Sequence, residues 1–348
     1  MIVCAGSGGV GKTTMSSAIG VRAAQLGRRT LVLTVDPAKR LATALGLDLS
    51  DDSDRPVSLA NAKGTLSAAV IDSKKIFDRF ITTHSKQAEV VERIQRNRLY
   101  QQMSTTLSGS QEFTALERLL QAVESEKYDL VVLDTPPTKH AMDFLTAPQR
   151  INSLFQDAVT KWFLSPGEKP TGFIANIVGR GTRTVFKSLE TLTGNQFIEE
   201  LIDFFAAVRS IQQVLRERSE KARLLLTSDS TRFIVVTSFD AAKLMEAKYL
   251  QGQLKRLGYR LAGVVINRAF PLWLPQDSGS ASTGGGESLE NVRKFFETFR
   301  EYYSNRYTLY DEFAKGLSGD VVVVRIPEYR QDVHGLEDLA ELAGELAT

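Results

Sequence analysis

Near the start of the chain, Gly6-Ser7-Gly8-Gly9-Val10-Gly11-Lys12-Thr13-Thr14 combines glycines with a lysine and the two threonine hydroxyls that follow it, at the spacing that phosphate chemistry requires. Glycines let the backbone curl so that successive N–H groups point inward at phosphate oxygens. Gly8, Gly9, Val10, Gly11, Lys12, Thr13 and Thr14 are therefore the expected nucleotide-binding residues. Lys12 is long enough to reach the β- and γ-phosphates and to act there as a catalytic charge, and the Thr13 hydroxyl is a ligand for Mg²⁺. A helix beginning at this point adds its positive dipole end. The alternative is a flexible glycine turn. The flanks decide between them: an apolar run, Ile2-Val3-Cys4-Ala5, precedes the loop, and Met15-Ser16-Ser17-Ala18-Ile19 reads as helix after it. Strand, glycine loop and helix is the context of a phosphate-binding loop.

Two carboxylates stand where such a loop needs partners. Asp134 closes the apolar run Leu130 to Leu133, and Asp36 closes Thr30 to Val35. Ligands of parallel α/β sheets lie at the carboxyl ends of strands. A carboxylate there holds Mg²⁺ directly or through water, so Thr13, Asp36 and Asp134 form the expected metal set and Asp36 joins Lys12 as a catalytic candidate. Taken singly, each aspartate also reads as an ordinary turn residue.

The elements that must position these residues follow from the apolar pattern. The first helix runs to about Leu26 and Gly27 sits where a C′ glycine ends it. Runs at Leu66–Ile71, Leu130–Leu133, Phe233–Thr237, Ala262–Ile266 and Val321–Ile326 are apolar without alternation, as strands covered on both faces are. Helical patterns separate them, among them Ala241 to Leu257 closed by Gly258. The expected fold is α/β, a P-loop NTPase with a doubly wound, mostly parallel sheet.

Residues 1–348 read as a single domain carrying helical insertions at about 73–126 and 147–230. Within the second insertion Phe197, Ile198, Leu201, Ile202, Phe204, Phe205, Val208, Ile211 and Leu215 share one helix face. That face either packs on the protein's own core or receives an apolar client. The Gly/Ser-rich stretch from Asp277 to Gly286 reads as a mobile surface loop. The net charge of +2 gives no global attraction to nucleic acid or anionic membrane. Cys4 is the one cysteine, so no disulfide forms within the chain, and a buried inert thiol is expected. No apolar run approaches the ~20 residues of a membrane span. The loop begins too close to Met1 to leave room for a signal peptide, and the cytoplasm, where nucleotide is found, is the expected location.

The chain resembles the ArsA-like ATPases, the family of the arsenite-pump ATPase and of the factor that targets tail-anchored proteins, as a single-domain, bacterial-type member. The resemblance rests on Gly6 to Thr13, on Asp36-Pro37-Ala38, and on Asp134-Thr135-Pro136-Pro137-Thr138-Lys139-His140. It extends to Gly109 to Glu112, Gly263 to Arg268, and Ile326 through Leu336. It implies a dimer with ATP at or near the interface, opening and closing with nucleotide state. It also implies that Asn267 recognises adenine and that the segment around Pro327 lines the base. Three departures from the family pattern matter. Ser7 stands where relatives often carry a second lysine that reaches the partner's phosphates, and Thr43 stands where they carry an aspartate that orients water. Cysteines for arsenite sensing or a zinc staple are missing, so an arsenical pump subunit is not expected.

The reading is a Mg-ATP-binding, slowly hydrolysing dimeric switch ATPase that signals its nucleotide state through the helical subdomain. Its partner is a homodimer mate or a paralogous ATPase, with an apolar protein client or membrane-associated partner at the helices and no nucleic acid. The alternatives are a regulatory ATP-binding subunit with little activity of its own and a ParA/MinD-like positioning ATPase. The acidic end of the chain, with Glu337, Asp338, Glu341 and Glu345, argues against the last.

Overall fold

The computed structural model describes residues 1–35, 40–47, 52–85, 88–97, 100–101, 110–136, 138–154, 211–269, 287–329, 332–333 and 335–346. Among them the chain divides into two compact units: Met1–Val70 with Ala122–Ala141 and Leu226–Thr348, and Ile71–Gln121 with Met142–Leu225.

The first unit is an eight-stranded sheet in which every neighbouring pair but one is parallel. Its strands are β1 (Ile2–Gly6), β2 (Arg29–Thr34), β3 (Arg55–Val57), β4 (Thr65–Val70), β5 (Leu130–Asp134), β6 (Arg232–Ser238), β7 (Leu261–Ala269) and β8 (Val322–Pro327), in the spatial order β3-β4-β2-β5-β1-β6-β7-β8. The α/β, doubly wound class expected from the apolar runs is what forms. The strand not foreseen is β3, which pairs antiparallel at the edge. It contains Pro56, which cannot donate to a ladder and is tolerated at an edge.

The helices of this unit are α1 (Lys12–Gln25) and α2 (Arg40–Leu45), followed, after five helices that lie wholly or mostly in the second unit, by others nearer the C-terminus. Gly27, with φ +92°, ends α1 at the expected place, its N–H bonding the Ala24 carbonyl at 3.0 Å. One face of the sheet, carrying Cys4, Val32, Val132, Val236 and Val265, forms a buried cluster with Met15, Ala18 and Val21 of α1. The opposite face, with Val3, Leu31, Leu33, Val131, Leu133 and Val235, is equally buried. Burial on both faces explains why these strands read as unbroken apolar runs.

The second unit is helical: α3 (Ser73–His84), α4 (Ala88–Arg96), most of α5 (Ser110–Glu124) and α6 (Thr138–Leu154), and α7 (Gln212–Thr227) up to Leu225. Asp72 caps α3 by accepting from the Lys75 N–H at 3.1 Å. The interior holds an aromatic cluster in which Phe113 meets Phe80 edge-on at 5.1 Å and Phe77 at 5.6 Å. Tyr100 joins it and donates its hydroxyl to Asp78. A bidentate pair, Arg218 Nε to Glu117 Oε2 at 2.7 Å and Nη2 to Oε1 at 3.0 Å, is nearly buried, so losing either partner strands the other charge. Ile211 and Leu215, from the predicted apolar face, are buried here; Phe197 through Val208 and the Asp277–Gly286 stretch lie outside the described residues.

Completing the first unit are α8 (Ala241–Arg256), α9 (Glu287–Lys315) and α10 (Gly335–Glu345). Asp240 caps α8 through the Ala242 and Lys243 N–H groups. The acidic α10 buries Leu339, Leu342 and Ala343 in the same cluster as α1, so its apolar stripe is used within the fold. No helix among the described residues is long and apolar enough to cross a membrane. Replacing Leu339, fully buried behind the phosphate-loop helix, with alanine is expected to cost about 2–5 kcal/mol. A lowered urea midpoint, followed by circular dichroism, checks this.

Candidate phosphate site

β1 delivers the glycine loop at the carboxyl edge of the sheet, and the loop's shape is dictated at its two ends. At Gly6 a Cβ would lie 2.1 Å from the Val236 carbonyl oxygen of β6, so the strand can sit this close to its neighbour only with glycine. Gly11 is the N-cap of α1 and has φ +89°, a left-handed conformation in which other residues are strained. No side chain caps this helix and its first turn holds no acid. Its leading N–H groups and its positive end are therefore offered to an external anion.

Lys12, 8% exposed, curls back so that its Nζ donates to the Ser7 carbonyl at 2.7 Å. The ammonium is thus held over the loop it serves. Ser7 itself is buried, at 2% exposure.

Asp134 is 1% exposed at the end of β5, the strand that lies between β2 and β1. The register aligns Thr34, Asp134 and Cys4 in one row across those three strands. Aligned residues on adjacent strands share a face, here the face covered by α1. The consequence is a hub: Thr13 Oγ1 of α1 donates to Asp134 Oδ2 at 2.7 Å, and Thr34 Oγ1 of β2 donates to the same oxygen at 2.9 Å. Thr135, next along, anchors the chain leaving β5 by donating its hydroxyl to the Cys4 carbonyl at 2.8 Å. The sequence gives no separate role to Thr34, and Thr135 enters there only as part of the motif that follows Asp134. A hydroxyl ending an otherwise apolar strand was the available signal for Thr34.

The donor set suits Mg²⁺. A threonine hydroxyl and a buried carboxylate are hard oxygen ligands. No group of three or more His, Cys, Asp or Glu among the described residues could hold a metal without help. A site with so few protein ligands is completed by water and substrate phosphates, which is how Mg²⁺ is commonly bound. Asp36, Pro37 and Pro137 lie outside the described residues, as do the side chains of Thr138, Lys139 and His140. Thr43 is exposed on α2.

On the other side of β1 the structure brings Asn267 to the loop. From the end of β7 its Nδ2 donates to the Val10 carbonyl at 2.9 Å, and its Oδ1 accepts from the Arg268 N–H at 3.0 Å. Pro327, exposed at the end of β8, lies across the β7–β8 pairing from Ala269. The two residues expected at the base are thus on adjacent strand ends, and Asn267 is also in contact with the phosphate loop.

This sheet, with a glycine loop opening onto an uncapped helix and an aspartate at the end of the strand beside it, defines a P-loop NTPase. More narrowly, the chain belongs to the ArsA ATPase family, described as anion-transporting ATPases, whose signature matches residues 1–348. It is an ATPase by that membership. Curated relatives include ATPase GET3 of Malassezia globosa, 25% identical over 342 residues and covering 98% of this chain and 89% of the relative. ATPase get3 of Aspergillus terreus is 25% identical and that of Aspergillus niger 24%, each covering 98% of this chain and 88% of its own length.

Cys4 provides a probe of the hub. Burial pushes its thiol up to about 12, with the Asp134 charge acting in the same direction and the Ser16 hydroxyl and Lys12 opposing. The neutral thiol therefore favours the folded state below the unfolded thiol pKa of ~8.5, and that contribution is lost as pH rises toward about 12. The native protein is expected to resist thiol reagents at pH 8 and to lose stability above about pH 9, and Cys4→Ala to fall less steeply over that range. Urea titrations of both proteins between pH 8 and pH 11 measure the difference.

Proposed function

We propose that the chain is a Mg-ATP-dependent switch in which ATP binding is strong and hydrolysis slow. The observation that carries this reading is the shared Asp134 oxygen, held by Thr13 of the nucleotide helix and Thr34 of β2. One carboxylate thereby ties together the loop that would grip phosphate and the two strands whose following segments would respond to it.

In this reading the N–H groups from Gly8 to Thr14 cradle the phosphates, and Lys12 exchanges the Ser7 carbonyl for phosphate oxygens. Thr13 and Asp134, joined by Asp36, hold Mg²⁺, in part through water. Bound Mg²⁺ offsets phosphate charge and fixes the geometry of the terminal phosphoryl group. Asn267 and the segment at Pro327 meet the base. Segments leaving the strands after Asp36 and Asp134 are the parts that order or shift with the γ-phosphate, a known route for such switches.

Slow turnover follows from two residue types. A cation brought in from a partner acts on transition-state charge more than on ground-state binding, and Ser7 carries none. A hydroxyl at Thr43 positions water but takes up a proton poorly. The protein acts in the cytoplasm as a homodimer or with a paralogous ATPase, and its helical unit reports nucleotide state to an apolar protein client or membrane-associated partner. The regulatory-subunit reading gains support from the buried Ser7, which offers no charged group to a partner's site. The positioning-ATPase reading loses support because the apolar stripe of α10 is occupied by α1.

Lys12→Ala is expected to abolish measurable ATP binding and lower any turnover by about a hundredfold or more. Wild-type chain alone is expected to turn over slowly despite binding ATP, and faster with a paralogue that carries the second lysine. Equilibrium ATP titration beside a phosphate-release assay tests both, and an isolated chain as fast as such a paralogue would contradict the reading.

A further inference from the structure

Asn267 sits where two requirements meet. Its neighbours settle which way its amide faces: the Val10 carbonyl can only accept, and the Arg268 N–H can only donate. One N–H of the amide is therefore committed to the phosphate loop and one lone pair of its oxygen to the backbone N–H of Arg268 in the last residues of β7. The strand is irregular at this point, because Arg268 occupies the left-handed region at φ +54° without being glycine. The β7–β8 pairing is irregular between Ile266 and Ala269, on either side of it. The loop is fitted to the amide as closely as the amide is to the loop. A Cβ on Gly11 would stand 2.4 Å from Asn267 Nδ2. The contact spans 257 positions of sequence and falls on the carbonyl just before the N-cap of α1.

We infer that Asn267 is a positioning residue for the phosphate loop: its amide holds the Val10 carbonyl and so fixes the Gly11 turn that aims the first N–H groups of α1 at the phosphates. The committed N–H and lone pair leave one further N–H and one further lone pair on the same planar group. Those remain available to a base, so a single amide links base recognition to loop geometry. The inference rests on the nucleotide site proposed above. It differs from a role on the base alone in predicting that a ligand without any base will feel the substitution.

The experiment uses the full chain as wild type, Asn267→Ala and Asn267→Leu, titrated with ATP and with inorganic tripolyphosphate in the presence of Mg²⁺. Loss of the latch is expected to weaken tripolyphosphate binding by on the order of fivefold or more in both variants. ATP binding is expected to weaken at least as much. Tripolyphosphate binding unchanged in the variants, whatever happens to ATP, overturns the inference. Wild type that binds neither ligand overturns the nucleotide site itself, a separate and recognisable result. Hydrogen exchange keeps the test independent of affinity. Amides of Gly11 to Thr14 are expected to exchange faster in both variants while β8 and α10 do not change. Acceleration throughout the unit would mean general loss of stability and would also overturn the positioning role.

Discussion

A single carboxylate oxygen, Asp134 Oδ2, receives hydroxyl donors from α1 and from β2, and the rest of the site depends on that convergence. A carboxylate at 1% exposure is costly to bury without compensation, and the two hydroxyls, with the further contacts Asp134 makes, supply part of it. The geometry exists because β5 is inserted between β2 and β1. Three strand ends distant in sequence are brought level, and Thr34, Asp134 and Cys4 fall in one row. Moving β5 by one residue would turn Asp134 to the opposite face of the sheet and undo the site.

The phosphate loop is held at both flanks of β1 by unrelated interactions. On one flank Thr13 meets Asp134. On the other, Gly6 lies against β6 and Asn267 grips the Val10 carbonyl. Behind the loop, α1 is fixed by a cluster that includes the C-terminal helix α10. The loop is therefore supported from three directions before any ligand arrives, which keeps its N–H groups aimed at a site rather than at one another. Pre-organisation of this kind favours binding. It does not supply the charge that acts on a departing phosphoryl group, and Ser7 and Thr43 do not supply it either.

Much of this was legible from residue type and spacing. The loop, the strand-end position of Asp134, the parallel sheet and the helix stops at Gly27 and Gly258 follow from local patterns that the fold respects. The antiparallel edge strand β3 was hidden because three residues containing Pro56 give no apolar periodicity. Thr34 and Thr135 were hidden for a different reason. Their roles arise from strand order and register, and a hydroxyl at a strand end carries no local mark of the partner it will face. Asn267 illustrates both sides. Its place near the end of β7 follows from the apolar run Ala262–Ile266 before it, whereas its bond to Val10 depends on how close β7 comes to the loop in space.

We propose that Thr13 and Asp134 form a Mg²⁺-dependent phosphate site in which binding precedes and outweighs hydrolysis. The most direct measurement is ATP affinity with Mg²⁺ and with a chelator, for wild type and for Asp134→Ala. Mg²⁺ is expected to tighten ATP binding to wild type by about tenfold or more, an amount in keeping with a charge-assisted contact. Asp134→Ala is expected to remove this gain while binding in chelator stays close to that of wild type. A variant that keeps the full Mg²⁺ dependence, or a wild type with none, would contradict it.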